Sequence, residues 1–235
     1  MKITNVEAYA VEFPLDEPAQ DATGVWTSWD TIIVKITVED GTFGWGEIGP
    51  IHGGGSEIFK AMVDHKLKRL VIGEDVFDRE KIYEKLLGRG TNSYALGQKG
   101  AIVSAVAGID IALWDLAGKF YDAPIYELLG GRRRPLKTYA STYYGDRGGG
   151  GLHSPEAFGE FAAGCRELGY QGFKIHSWVD DVNIAEEVAT VRAVRAAAGP
   201  DMDLMIDPAG VYRTFADMLR VGRALDEANY YWYED

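Results

Sequence analysis

Four short apolar runs in the second half of the chain recur at a regular interval, and that interval most constrains the fold. Tyr139 lies in "LKTYAST", Lys174 in "GFKIHSW", Asp207 in "DLMIDPAG" and Glu234 in "YYWYED"; successive members of this set are 35, 33 and 27 positions apart. A strand, a crossover helix and the return to a parallel neighbour take about 30 residues. The intervening stretches read as helices. One opens at Ser154-Pro155, a cap followed by proline at the first helical position, and "NIAEEVATVRAVRAAAG" and "RTFADMLRVGRALDEA" supply the other two. The pattern predicts four strands of a parallel βα array. Such crossovers are right-handed, so successive strands lie side by side and finish on one edge.

Three of the four strands end in groups suited to chemistry. If "GFKIHSW" is a strand, Lys174 and His176 share one face while Phe173 and Ile175 share the other. In a βα barrel the ligand site sits at the carboxyl ends of the strands, where Lys174, His176, Asp207 and Glu234 all fall. Asp207 and Glu234 are hard oxygen donors, which suit Mg²⁺ better than zinc; water and substrate would complete the shell. An imidazole, with an ordinary pKa of about 6.5, is already near the working range of a general base, whereas a lysine starts near 10.4. The economical division makes His176 the base and leaves Lys174 protonated, holding an anionic substrate oxygen. The metal would stabilise the charge that develops on a carboxylate as its α-proton leaves. A non-catalytic reading stays open beside this one: Asp207 caps the turn at Pro208, Glu234 pairs with Lys174, and the set is a structural ion-pair cluster.

The first half has a different rhythm. "ITNVEAYAVEF", "TIIVKITVED" and "TFGWGEIG" read as an antiparallel meander with a turn at Asp40-Gly41. A loop over roughly 15–30 is expected between the first two strands, with Pro14, Pro18, Gly24, Trp26 and Trp29. Helices are expected over 56–70, with Ser56 as cap, over 78–87 and over 98–119. The last is nearly apolar and should be a buried central helix, in which Asp110 and Asp115 serve packing. The expected division is an α+β domain over 1–125 and βα units over 126–235.

Composition excludes several classes of function. A formal charge of −12 argues against nucleic acid as a partner. Cys165 is the one cysteine, so no intrachain disulfide or cysteine-based zinc site is expected, and its apolar helical context suggests packing. No apolar run reaches the roughly 18 residues of a membrane helix, and "MKITNVEAYAVEF" alternates like a strand and does not resemble a signal peptide. A cytoplasmic location is the default expectation. His65 and His153 read as exposed or structural, and "RGGGGLH" lacks the context of a phosphate cradle.

Taken together, "DGTFGWGEIGP", "GIDIALWDLAGK", "PIYELLGG", the Lys-x-His strand, "DLMIDP" and "WYED" resemble the mandelate racemase and muconate-lactonizing group of the enolase superfamily. The resemblance implies an α+β capping domain followed by a modified (β/α) barrel of the TIM type. It also implies Mg²⁺ held by carboxylates at successive strand ends, with Asp207 and Glu234 matching the first two ligands. Lys174 and His176 match the paired base motif of the second barrel strand, where the second position commonly acts as base. The implied chemistry is abstraction of the α-proton of a small carboxylate through an enediolate. Dehydration of a sugar acid (aldonate or aldarate) is the leading outcome, and racemisation, epimerisation or lactone cycloisomerisation are the close rivals. Capping-domain loops over about 15–30 and 50–56 would choose the substrate, which makes Trp26 and His52 candidate contacts; Tyr143, after the first barrel strand, is a third. A homo-oligomer is also implied. Two departures stand out: His176 where many members have a second Lys, and Ala209 where many have Asn. The third metal ligand and the opposite-face acid or base that the resemblance implies are expected beyond Glu234-Asp235. Four barrel strands would leave two open edges, so the chain is expected to be about the first half of such a barrel, a fragment of a longer enzyme.

Overall fold

The computed structural model describes the chain apart from residues 22–23, 53–54, 89–94, 96, 143–150, 177, 179–181 and 235; of 20–21 and 50–52 it describes the backbone alone. The chain divides into two compact units, Met1–Ala19 with Trp26–Arg134, and Gln20–Val25 with Pro135–Asp235.

In the first unit, β1 (Ile3–Asp21), β2 (Gly24–Val38) and β3 (Phe43–His52) form a sheet in that order, β2 and β3 running antiparallel. Their turn uses Asp40-Gly41: Asp40 Oδ1 accepts from the Thr42 N–H at 2.9 Å, and Gly41 takes the positive φ of 87° that the turn needs. Alternation along β2 buries Ile32, Val34, Ile36 and Val38 on one face. Against that face lies α4 (Ala101–Tyr121), contributing Ile102, Ile109, Leu113 and Leu116 to the same core. The approach is backbone to backbone. A Cβ on Gly46 would stand 1.9 Å from the Gly108 carbonyl oxygen, and one on Gly44 would stand 2.2 Å from that of Ala112. The two glycines of "TFGWGE" are therefore what allows α4 to seat. Asp115 serves the same packing, accepting from the Trp45 N–H at 2.8 Å and from Lys119 at 2.7 Å.

Three details differ from the sequence expectations. The predicted loop over 15–30 is strand on both sides of 22–23; β1, which carries Pro14 and Pro18, lies at the edge of the sheet, where strands tolerate proline. Gly55, in the left-handed region at φ 102°, occupies the cap position of α1 (Ser56–Met62), and Ser56 is already helical. By length and composition α4 is apolar enough to cross a membrane, contrary to the expectation that no run is; half of its most apolar window is buried in the unit, as in a core helix. The rest of this unit comprises a π-helical turn (Val63–Leu67), α2 (Lys68–Val71), α3 (Arg79–Leu86) and α5 (Ile125–Leu128).

In the second unit, β4 (Ala140–Ser141), β5 (Gly172–His176), β6 (Asp203–Asp207) and β7 (Trp232–Tyr233) form a parallel sheet in sequence order. The crossovers carry α6 (Pro155–Glu167), α7 (Ile184–Ala198) and α8 (Phe215–Glu227). Ser154 caps α6 as its sequence suggests, its hydroxyl accepting from the Ala157 N–H at 3.2 Å. Phe173, Ile175, Leu204 and Ile206 pack with Phe158, Trp178, Val191 and Val194 in one core. The strands predicted in "LKTYAST" and "YYWYED" are two residues each, shorter than the sequence pattern suggests.

Candidate active site

Strand register builds the site. Phe173 and Ile175 point into the core, so Lys174 and His176 project from the opposite face of β5. His176 pairs in register with Asp207 on β6, and the Glu234 N–H extends the β6–β7 ladder by donating to the Ile206 carbonyl at 2.9 Å. His176, Asp207 and Glu234 thus share one row at the carboxyl ends of three neighbouring strands, with Lys174 one rung below and reaching up.

The charges converge on Lys174. Its Nζ lies 3.0 Å from Asp207 Oδ2 and 3.1 Å from Glu234 Oε2, and its residue is only 8% exposed. Burial by itself would lower the lysine pKa, but the two carboxylates outweigh it and hold the ammonium above its ordinary value. Asp207 shows the complementary balance. Burial pushes it up, while Lys174, then His176 and the Ala209 N–H on Oδ1 at 3.0 Å, together hold it below the usual carboxylate range. Lys174 is therefore a fixed cation.

His176 Nε2 lies 3.1 Å from Asp207 Oδ2. Its other ring nitrogen, Nδ1, lies 2.6 Å from the backbone oxygen of Thr142, and the Thr142 hydroxyl accepts from the His176 backbone N–H at 2.9 Å. A carbonyl oxygen can only accept, so Nδ1 carries a proton; Nε2 faces the Asp207 carboxylate, which also only accepts, and is the nitrogen at which a further proton is gained or lost. Thr142, buried just after β4, is a site residue that the sequence reading passed over. The signal was its place at the end of the first barrel strand, one residue before Tyr143.

The structure thus brings together Lys174, His176, Asp207 and Glu234. Trp26 belongs to the first unit, where its ring is buried and tilts against Trp29 at 6.5 Å between centroids. Tyr143 lies outside the described residues, as does the side chain of His52. Among the described residues no three His, Cys, Asp or Glu side chains group around one point. Two oxygens nevertheless converge on a single cationic atom. That donor set fits Mg²⁺, which binds through one or two carboxylates and keeps several waters.

Residues 3–130 match the family model of the mandelate racemase / muconate lactonizing enzyme N-terminal domain, and residues 157–235 match that of the enolase C-terminal domain-like family. The chain is 33% identical, over all of its length and 58% of the relative's, to D-galactarolactone cycloisomerase of Agrobacterium fabrum. It is 34% identical, over 94% of its length and 54% of the relative's, to L-talarate/galactarate dehydratase of Salmonella typhimurium. The crystal structure of D-glucarate dehydratase from Agrobacterium tumefaciens, complexed with magnesium, superposes with a TM-score of 0.80 at 29% identity, covering 99% of this chain and 60% of that one. The chain spans a little over half the length of these relatives. The matched residues include an α+β domain of the capping type and a partial parallel barrel sheet, and the chain belongs to the mandelate racemase and muconate-lactonizing group of the enolase superfamily.

Proposed function

We propose that the protein acts in Mg²⁺-dependent abstraction of the α-proton of a small carboxylate, with dehydration of a sugar acid as the leading outcome. The observation that carries this reading is the convergence of Asp207 and Glu234 on one cation, 3.1 Å or less from each, with an imidazole in the same row. Asp207 and Glu234 would hold the metal, whose charge supplies electrostatic stabilisation to a carboxylate losing its α-proton. His176 takes the proton at Nε2; the Thr142 carbonyl fixes the tautomer and the ring plane through Nδ1–H. Lys174 presents a permanent positive charge to a substrate oxygen. Relatives named as dehydratases, cycloisomerases, racemases and epimerases support the shared first step and divide over the fate of the deprotonated substrate.

Incubation with a panel of aldonate and aldarate acids and Mg²⁺ in D₂O tests this reading. Solvent deuterium at the α-carbon together with β-elimination supports the dehydratase; deuterium without elimination supports a racemase or epimerase. No exchange with any acid in the full-length protein would sink both.

One observation favours a second reading, a structural ion-pair cluster: Lys174 already bridges both carboxylates, and Asp207 already caps its own turn through Ala209. That reading predicts no thermal stabilisation by Mg²⁺, and predicts that His176→Ala alters stability alone.

A further inference from the structure

Glu187 has no exposed surface, yet it is an acid in the first turn of α7. Its Oε2 accepts a hydrogen bond at 2.9 Å from the hydroxyl of Tyr212, itself buried. A buried carboxyl group costs more to desolvate than an apolar side chain of the same size, so burial alone does not account for it. What the bond holds is informative. Tyr212 lies five residues past Asp207, in the segment joining β6 to α8, and its ring tilts against Tyr233 at 6.4 Å between centroids. Tyr233 in turn precedes Glu234. One buried acid is thus linked to the segment after the first carboxylate and to the strand that carries the second.

The segment being held is strained. Ala209 adopts φ 51°, in the left-handed region, which costs a residue with a Cβ about 1 kcal/mol or more. It is in that conformation that its N–H reaches Asp207 Oδ1 at 3.0 Å, which turns Oδ2 toward Lys174. The Val211 N–H closes the same turn by donating to the Pro208 carbonyl at 3.2 Å.

We propose that Glu187 and Tyr212 are positioning residues: their buried hydrogen bond pins the β6–α8 segment, keeps Ala209 in its strained conformation, and so fixes the orientation of the Asp207 carboxylate. This role rests on the metal reading, since an oriented carboxylate matters most where it must share a cation with Glu234. Neither residue belongs to the cluster of Lys174, His176, Asp207 and Glu234, so both act through the backbone.

The test uses the 235-residue chain and the variants Tyr212→Phe, which deletes one hydroxyl, and Glu187→Gln, which keeps an acceptor for it. Hydrogen exchange at the Ala209 and Val211 amides is measured without metal, and Mn²⁺ affinity is measured by electron paramagnetic resonance. Tyr212→Phe should speed exchange at both amides about tenfold, the loss expected for one buried hydrogen bond, while β5 amides keep their parent rates. It should also weaken Mn²⁺ binding about tenfold, as removal of an outer-shell partner does, whereas Glu187→Gln, which keeps the acceptor, should stay within about threefold of the parent in both. Unchanged exchange at Ala209 in Tyr212→Phe would overturn the proposal, whatever the metal does. Faster exchange with unchanged Mn²⁺ affinity would overturn the positioning role. Absence of Mn²⁺ binding in the parent chain would sink the metal reading, and the exchange result would still decide the tether.

Discussion

Thr142 holds His176 at two points: its hydroxyl accepts from the His176 backbone N–H at 2.9 Å, and its carbonyl oxygen lies 2.6 Å from Nδ1. One residue at the end of β4 thereby sets both the register of β5 at its last position and the tautomer of the ring.

Removing the Thr142 hydroxyl separates those two roles. Thr142→Val leaves the half-buried His176 N–H without that acceptor, and denaturant unfolding should show a loss of about 1–2 kcal/mol. The carbonyl remains, so nitrogen NMR should still find the His176 proton on Nδ1. Loss of the proton from Nδ1 would contradict the assignment.

Lys174→Met takes the cation from between two carboxylates while keeping most of the side-chain length. The Lys174 and Asp207 side chains are 10% and 13% exposed and that of Glu234 is 42% exposed, so the loss should fall somewhat below that for a fully buried pair, about 2–4 kcal/mol. Mg²⁺ should recover part of it by supplying the missing charge. Thermal melts of the variant with and without Mg²⁺ check this, and equal melting temperatures would count against a divalent site.

Acid should weaken the first unit through Glu74. Lys81 and Lys85 each donate to its carboxylate at 2.7 Å and bring its pKa down from 4.5 to about 2. A carboxyl group whose pKa is lower in the folded than in the unfolded chain contributes stability above the unfolded value and loses it as pH falls through the folded one. The stability difference between the parent and Glu74→Gln should therefore be full above about pH 4.5 and shrink as pH falls toward 2. Unfolding curves across that range would show it.

The seat of α4 on β3 is equally testable. Gly46→Ala forces a Cβ to 1.9 Å from the Gly108 oxygen, so the helix must move; a cost of about 3 kcal/mol or more is expected. Gly49→Ala, where nothing lies within 4 Å of the added carbon, should stay within about 0.5 kcal/mol of the parent. Circular dichroism melts of the two variants give the comparison.

Sequence and structure agree where a physical rule repeats. The interval between Lys174, Asp207 and Glu234 is the length of a βα crossover, and the alternation of Phe173 and Ile175 with Lys174 and His176 is the pleat of a strand. Both were legible. Gly44 and Gly46 were visible as residues, but their purpose needed α4 laid against them. Thr142 was missed because half of its contribution comes from a backbone carbonyl, which every residue has. Glu187 and Tyr212 were missed because an acid in a first helical turn and a tyrosine in a connecting segment both read as solvated surface until burial is known. The prolines of β1 misled for the same kind of reason: edge position is a tertiary fact, and it is at an edge that strands tolerate proline.

The central claim is that Asp207 and Glu234 form a divalent-cation site, and Mn²⁺ titration of the parent chain beside Asp207→Asn and Glu234→Gln tests it most directly. The account predicts one saturable site in the parent, displaced by Mg²⁺ and lost or weakened at least tenfold in each variant. No saturable binding in the parent, or binding that survives both substitutions unchanged, would contradict it.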